Sequence, residues 1–427
     1  MVSRQAARLV AETPAIATAH FTAEADPYDP RRNPRGYVNL GTAENRLVWD
    51  LLEPLLRAAR PVAAAVTRYA PLFGAYDLRE AVAAFLTRTR RAVVEPDDVL
   101  VVAGATAALD IIAAVLCDPG EVIAVPAPYY GAFDTDLAGR SHAVLIPVGP
   151  NDGDGPTPGA AAIEAAVIRA RAEGSTVRAL ALTSPHNPLG LVHHRAELEE
   201  VAATCARLDL DLIADEIYAN SVFAGPPFVS TLSLSAEVID PRRVHMVWGF
   251  AKDFGLPGFK TGVLHTHDSA VRAAARELAY FAPVSTDTQW FLRELLTDNA
   301  WVDGFLAANR SRLAASYALA ADLLARAGIP FLPAVAGFSI WTDLRPWLGE
   351  ETFAAEQTIW QHLFEDGRVS MLPGQVFHSQ SPGWFRLCHT TDPDTVTEGV
   401  ARLSRVLAGA AGAAGAAGGR QRTPPRS

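Results

Sequence analysis

Two kinds of side chain that could act together chemically stand directly after apolar runs of this sequence. Lys252 follows VHMVWGFA (244–251), and Asp215 and Glu216 close the apolar part of DLIADEIYA (211–219). Apolar neighbours would lower the pKa of a lysine and make its amine a nucleophile or a base. A carboxylate at the end of a buried strand needs a cation or a hydrogen-bond donor. A lone lysine, however, is more often a surface residue.

Polar or aromatic residues follow other apolar runs as well. Ala105 and Thr106 lie in the GAT turn (104–106) before a helix, where free N–H groups could bind an anion or simply form a tight turn. Tyr130 could stack on a flat ring or pack in the core. Asn187, in SPHNPLG, is either an amide donor or a turn residue. Arg386, in GWFRLCHT, needs a carboxylate from a substrate or from another side chain.

The elements that must position these residues are short β-rich runs alternating with helical patterns. Such alternation predicts βαβ units and an α/β fold with an open, largely parallel sheet. Ligands bind at the carboxyl ends of the strands in such sheets, where the residues above are found. The predicted strands are VLVVAGA (99–105), VIAVPAP (122–128), AVLIPV (143–148), VRALALTSP (177–185), DLIADEIYA (211–219), VHMVWGFA (244–251) and TGVLHTH (261–267).

The alternation of β-rich runs and helical patterns ends at about residue 285. A long helical pattern (286–327) then leads into short strands typical of a smaller α+β domain. The predicted organisation has four parts. They are an N-terminal arm with part of the small domain (1–60), a large α/β domain (61–290), a small C-terminal α+β domain (291–407) and a disordered Ala/Gly-rich tail (408–427).

Composition excludes several classes of protein. The formal net charge of −10 argues against nucleic-acid binding, and the sequence shows no run of apolar residues long enough for a membrane span. The chain has three widely spaced cysteines and no signal-peptide pattern at its start, which favours a reducing, cytoplasmic location.

Taken in order, the motifs resemble the fold-type I pyridoxal-phosphate (PLP) enzymes of the aminotransferase class I/II superfamily. Within it, the resemblance is nearest to the 1-aminocyclopropane-1-carboxylate (ACC) synthases. It covers roughly residues 33 to 406 and rests on NLGTAENRL, PAPYYGAFDTDL, SPHNPLG, ADEIY, KDFGLPGFKTG and PGWFRLCH. It implies a large, mostly parallel-sheet domain with a smaller α+β domain.

The resemblance implies a role for each strand-end residue. Lys252 would hold PLP as a Schiff base and then move the Cα proton. Asp215 would pair with the ring nitrogen and keep it protonated. Asn187 and Tyr218 would hydrogen-bond the phenolic oxygen of the ring, and Tyr130 would stack on the ring.

Other roles concern the phosphate, the substrate and a second subunit. Ala105 and Thr106 would cradle the phosphate, and Arg386 would bind the α-carboxylate of an amino-acid substrate. Glu44 would lie near that substrate. The family commonly forms homodimers, in which an aromatic residue reaches the site of the partner, and Tyr69 is the candidate for that role here.

The chain departs from the family pattern around the lysine. Gly249 and Ala251 stand where serines are usual, and Lys260 stands where an arginine is usual, so it would meet the phosphate as a point charge. Leu72 stands where ACC synthases commonly have a tyrosine, and His186 replaces a small residue.

The function implied is an ACC synthase-like lyase or transferase acting on S-adenosylmethionine (SAM) or a related γ-substituted amino acid. Loss of the γ-leaving group after Cα deprotonation would give cyclisation, elimination or replacement, in specialised metabolism. An aminotransferase or a PLP-dependent oxidase would use the same residues. A non-catalytic PLP-fold regulator is a third alternative, but the chain shows no helix-turn-helix-like extension and is acidic.

Overall fold

The computed structural model describes residues 2, 7, 15–58, 64–152 and 154–418. The chain forms two compact units. The large unit comprises Glu44–Ala314 and Ala334–Gly337, and the small unit comprises Met1–Ala43, Ala315–Pro333 and Phe338–Ser427.

The described helices and strands are numbered in chain order. The helices are α1 (Ala15–Ala25), α2 (Trp49–Arg57), α3 (Tyr76–Arg90), α4 (Ala105–Leu116), α5 (Phe133–Asp136), α6 (Ala160–Ala172), α7 (Arg195–Arg207), α8 (Phe250–Asp253), α9 (Ser269–Leu278), α10 (Thr286–Thr297), α11 (Asn299–Arg326), α12 (Phe353–Glu365) and α13 (Pro393–Gly418). The strands are β1 (Val38–Asn39), β2 (Val99–Val102), β3 (Val122–Pro126), β4 (Val144–Val148), β5 (Val177–Thr183), β6 (Asp211–Asp215), β7 (Val244–Gly249), β8 (Gly262–Thr266), β9 (Phe331–Leu332), β10 (Ser339–Asp343), β11 (Val369–Ser370), β12 (Leu372–Pro373) and β13 (Trp384–Cys388).

The unit boundaries differ from the predicted domain boundaries of 60/61 and 290/291. The large unit begins at Glu44 because Val48 and Leu52, beside and within α2, are buried in its apolar core. It extends past residue 290 because Phe291 of α10 and Phe305 of α11 pack into the same core. The chain passes to the small unit within α11.

Within the described residues, the large unit is built on a seven-stranded sheet of order β2-β8-β7-β6-β5-β3-β4. Each strand corresponds to one of the seven predicted runs, so the prediction of an open, mostly parallel α/β sheet is confirmed. Strands β3 to β7 pair in parallel, and β8 is antiparallel to both β7 and β2. The continuous apolar runs are explained by helices that cover both faces.

This topology brings the predicted chemical residues to one edge of the sheet. Because β3, β5, β6 and β7 run in the same direction, their carboxyl ends meet at that edge. Thr183 at the end of β5 is paired with Asp215 at the end of β6. We call this side of the large unit the carboxyl edge.

Backbone segments approach each other closely at the carboxyl edge. A Cβ atom on Gly262 would lie 2.2 Å from the Gly104 carbonyl carbon, so a side chain at position 262 has no space. A Cβ on Gly249 would lie 3.0 Å from the Thr261 oxygen, which makes a side chain tight there as well. Gly104 has φ +94°, a conformation that glycine adopts without strain.

The small unit is an α+β structure, as predicted. Its antiparallel sheet has the order β12-β13-β10-β9, and β1 pairs in parallel with β11. The structure assigns residues 408–418 to α13, which continues to Gly418, and the predicted disordered tail (408–427) stays a prediction. The alanines of this segment have a high helix propensity, which favours the extension. Residues 419–427 lie outside the described part of the chain.

None of the helices in the described part of the chain is long and apolar enough to cross a bilayer.

Candidate active site

The lysine that the sequence singled out lies in a short helical turn at the carboxyl edge. Lys252 is part of α8, which begins directly after β7, and its side chain is half-buried. The Phe250 N–H donates to the Thr261 oxygen (3.2 Å), which ties the start of this turn to the segment before β8. The full sequence contains two lysines, Lys252 and Lys260, and both follow β7 within eleven residues of its end.

The next residue, Asp253, holds this turn in place. Its buried carboxylate accepts hydrogen bonds from Trp248 Nε1 (2.9 Å), Asn220 Nδ2 (2.8 Å) and Ser221 Oγ (2.7 Å). The lysine turn is therefore bound to the segment that follows β6. Sequence reasoning missed Asp253, although its position beside the lysine in KDFG was a usable signal.

The structure separates the two adjacent carboxylates that end β6. Glu216 is saturated: Arg90 Nε donates to it at 3.1 Å, Ser230 Oγ at 2.8 Å and the Thr231 N–H at 2.8 Å. Such a buried group, once paired and hydrogen-bonded, serves the structure. Asp215 is equally buried, at 2 % exposed, and lacks that set of donors.

The environment of Asp215 is unfavourable to its negative charge. Burial raises the pKa of Asp215 to about 7, against the opposing effect of a hydrogen bond from the Ile217 N–H. The charge of Asp136 raises this pKa further, and the charge of Lys252 lowers it. A cation placed against Asp215 would relieve the cost of its burial. The side chain therefore fits a protonated ring nitrogen.

The loop after β5 contributes an amide and two hydroxyl groups. Asn187 is buried in this loop, as are Thr183 and Ser184 at the end of β5. Within the described residues, the Thr183 and Ser184 hydroxyl groups have no hydrogen-bond partner. Buried polar groups are rarely left without one, so these hydroxyls are available to a ligand. Sequence reasoning did not single them out.

Tyr129 and Tyr130 are adjacent in the segment after β3, and the structure shows that they differ in burial and contacts. Tyr129 is buried, and its hydroxyl donates to Asp134 Oδ1 at 3.0 Å. Tyr130 is only half-buried, with its ring edge-on to Phe133 at a centroid distance of 5.7 Å. Tyr130 is therefore the more accessible of the two rings. Tyr218, three residues after the end of β6, is buried.

Positive charge gathers at the start of α4. The Lys260 Nζ lies 3.6 Å from the position of a Cβ built on Gly104, the residue that precedes the helix. The first N–H groups of a helix, at Ala105 and Thr106, have no partner within the helix and favour an anion. An ammonium beside a helix N-terminus is suited to a phosphate group.

A buried carboxyl group adjoins this anion site. The Thr106 hydroxyl donates to Asp136 Oδ2 at 3.2 Å. Burial raises the pKa of Asp136 to about 6, and the Thr106 hydrogen bond and the charge of Lys260 act in the opposite direction. Asp136 was part of the quoted motif PAPYYGAFDTDL, but the sequence alone assigned it no function.

Three other predicted residues are described by their own surroundings. Tyr69 is fully exposed (103 %), and the Glu44 carboxylate forms an ion pair with Arg46 Nε at 2.9 Å. Arg386 belongs to the small unit, where it is buried in β13 and donates from Nη2 to the Gly41 oxygen at 2.7 Å. Their predicted functions stay predictions.

We expect Asp215→Asn to change how the stability of the cofactor-free protein depends on pH. The pKa of Asp215 is raised to about 7 in the folded state from 3.8. The native state therefore keeps a proton that the unfolded state releases, and stability falls as pH rises from about 4 to 7. Removing the group should reduce that fall by up to about 4 kcal/mol.

Urea unfolding curves measured across this pH range test the expectation. Asp152→Asn, at an exposed loop position, is the matched control. Its free energy of unfolding should fall with pH at the same slope as that of the wild type. Equal slopes in Asp215→Asn and the wild type would contradict the assignment.

Comparisons with known proteins identify the family of this chain. A model of the aminotransferase class I and II family matches residues 35–403. The chain is 40% identical to 1-aminocyclopropane-1-carboxylate synthase 3 of Oryza sativa subsp. japonica, over 86% of both chains. It is 35% identical to 1-aminocyclopropane-1-carboxylate synthase 2 of Solanum lycopersicum, over 90% of this chain and 82% of that one.

Solved structures show the same fold. An aspartate aminotransferase from Thermus thermophilus, determined with maleate, superposes with a TM-score of 0.78 at 24% identity, over 95% of this chain and 99% of that one. The N-succinyldiaminopimelate aminotransferase from Mycobacterium tuberculosis gives a TM-score of 0.78 at 25% identity, over 95% and 100% of the two chains. The fold-type I prediction is confirmed. The chain thus belongs to the aminotransferase class I and II family and is a PLP-dependent enzyme of the ACC synthase-like kind.

Proposed function

We propose that this enzyme acts on SAM, or on a related γ-substituted amino acid, by removing the Cα proton and expelling the γ-substituent. With SAM, the leaving group is the neutral methylthioadenosine, and closure of the carbon chain gives ACC. The proposal rests on the position of Lys252 and of Asp215, a buried carboxyl group with a raised pKa, at one edge of the sheet. The chain is also 34–40% identical to ACC synthases.

The residues at the carboxyl edge fit PLP. Asp215 is a buried carboxyl group whose raised pKa would fall beside a cationic ring nitrogen. Lys260 and the N-terminus of α4 offer positive charge to a phosphate. The hydroxyls of Thr183 and Ser184, which have no hydrogen-bond partner within the described residues, can donate to polar groups of the cofactor.

The protein supplies proton transfer, charge and orientation. When bound, PLP accepts the electron pair that is left at Cα on loss of its proton. Lys252 Nζ takes up that proton and holds it. Asp215, once ionised, keeps the ring nitrogen protonated. The Asp253 hydrogen bonds keep the lysine turn in register with the segment after β6.

The remaining contacts in the proposal concern orientation. Asn187 and Tyr218 would donate to the phenolic oxygen of the ring, and Tyr130 would pack on its face. Arg386 binds the substrate α-carboxylate through its two-pronged guanidinium, and Glu44 lies near the substrate. Support for these assignments comes from the burial of Asn187, Tyr218 and Arg386 and from their match to the family motifs.

We further propose that the enzyme is a cytoplasmic homodimer. Exposed aromatic side chains on the large unit support the dimer, since Tyr69, Tyr280 and Phe281 are each more than 60 % exposed. Aromatic residues are enriched where subunits meet. The three cysteines are buried free thiols, which supports a reducing compartment.

We expect the purified enzyme to release methylthioadenosine from SAM and Lys252→Ala to release none, because the proton acceptor is lost. Hydride reduction followed by peptide mass spectrometry should find the cofactor attached to Lys252. Lys260, the other lysine of the chain, is the internal control and should stay unmodified. Amino transfer that depends on an oxoacid, without release of methylthioadenosine, would point instead to an aminotransferase.

Lys260→Gln should weaken PLP binding by about 10-fold or more, because a charge-assisted contact contributes roughly 1.5–3 kcal/mol. Lys260→Arg should retain most of the affinity. Lys260 has φ +48°, so both variants keep a side chain in the same left-handed conformation and differ mainly in charge. Titration of the cofactor-free protein, followed by absorbance, measures both constants. Equal affinities for Gln and Arg would place the phosphate elsewhere.

Mixed dimers test whether Tyr69 reaches the site of the partner. Tyr69→Ala and Lys252→Ala should each be inactive or nearly so, and light scattering should give twice the mass of the chain. Random mixing of the two variants should restore about a quarter of the sites, because a hybrid contains one site with both residues intact. Mixing Lys252→Ala with Asp215→Asn is the control without rescue, since both changes lie in the same subunit's site. A monomeric mass or the absence of rescue would contradict the proposal.

A further inference from the structure

A second group of chemically active side chains lies at the opposite end of β8 from the cofactor site. Asp98 directly precedes β2, His265 lies within β8, and His267 follows that strand. One potential ligand atom from each residue lies within 4.8 Å of the others. His265 is three residues from Gly262, which places this cluster roughly 10 Å along the strand from the carboxyl edge.

His265 is the unusual member of this cluster. Its side chain is fully buried (0 % exposed), and neither ring nitrogen has a hydrogen-bond partner in the described part of the chain. Burial, with smaller effects from the nearby histidines and Arg272, lowers the pKa of His265 to about 3, so the imidazole is neutral and has a lone pair to share. An unsatisfied buried imidazole is costly, and a bound cation would satisfy it.

Asp98 and His267 are arranged as ligands beside it. His267 Nδ1 and Asp98 Oδ2 lie 2.8 Å apart in a direct hydrogen bond, which a metal ion bound between the two atoms would replace. Arg272 Nη1 donates to the other oxygen, Oδ1, at 2.5 Å, and also to the Thr266 oxygen at 2.9 Å. Groups outside the ligand shell commonly orient a ligating carboxylate in this way.

The neighbouring strand shows that burial alone does not leave a histidine unsatisfied here. His245 of β7 is also fully buried, but its Nδ1 lies 2.9 Å from Thr266 Oγ1 and its Nε2 lies 3.4 Å from Asp211 Oδ1. The same sheet therefore contains a partnered histidine and an unpartnered one. The unpartnered one is the histidine that adjoins a carboxylate and a second imidazole.

We propose that Asp98, His265 and His267 bind one divalent transition-metal ion, such as Zn²⁺, at a site separate from the cofactor. Two imidazoles and a carboxylate are ligands that zinc, cobalt and nickel accept in proteins. The half-exposed His267 leaves the ion open to solvent and to a water ligand. The ion fastens β8 to the start of β2 and, through Arg272, to α9.

The experiment uses the full-length holoenzyme after removal of adventitious metal with a chelator. Calorimetric titration with Zn²⁺ and absorbance titration with Co²⁺ should each show one equivalent bound. Asp98→Asn and His267→Asn should weaken binding by at least about tenfold and abolish the rise in Tm that Zn²⁺ produces. The PLP absorbance should be unchanged in both variants.

His362→Asn is the matched control, because His362 and Asp366 form an exposed His–Asp pair at the C-terminal end of α12. It should bind the metal as the wild type does. Both test positions are partly exposed, so circular dichroism should report a native fold for the variants even where a change at His265 unfolds the protein. No binding to the wild type, or equal binding to the wild type and His267→Asn, overturns the proposal.

Discussion

The organisation of the site depends on the burial of Asp215 at the end of β6. Its carboxyl group is placed where solvent cannot stabilise the ionised form, and its pKa is raised to about 7. Its neighbour Glu216 is buried as well, but Arg90 neutralises its charge, and the hydroxyls of Ser230 and Thr231 donate hydrogen bonds to it. One carboxylate thus stabilises the fold, while the other is left for a cationic group that a ligand must bring.

The two lysines of the chain bring positive charge to two places, near Asp215 and near the start of α4. The chain has two lysines, and the turn after β7 brings one into the site and the other to the start of α4. The glycine-to-glycine approach of β8 and the turn before α4 keeps that helix N-terminus close to Lys260. Asp253 then fixes the lysine turn against the segment after β6, the strand that ends at Asp215.

The antiparallel strand β8 has different functions at its two ends. Gly262, at its start, permits the close approach on which the anion site rests. Near its other end, His265 and His267 lie close to Asp98, which directly precedes β2, the strand paired with β8. A metal ion there would stabilise the edge of the sheet without contact with the reacting atoms.

The sequence by itself determined the strands, the α/β class and the set of strand-end residues, because apolar runs and turn residues are local signals. It also determined the family, through motifs such as SPHNPLG and ADEIY, which the comparisons confirmed. Only the tertiary structure decided which of the two carboxylates at the end of β6 is neutralised, since Arg90 lies 126 residues from Glu216 in the chain. It also revealed the contacts of Asp253, Asp136 and the His265 cluster. The bounds of the two units follow the residues whose apolar side chains share a core. Desolvation and hydrogen bonding depend on neighbours that are distant along the chain, and no local pattern encodes those neighbours.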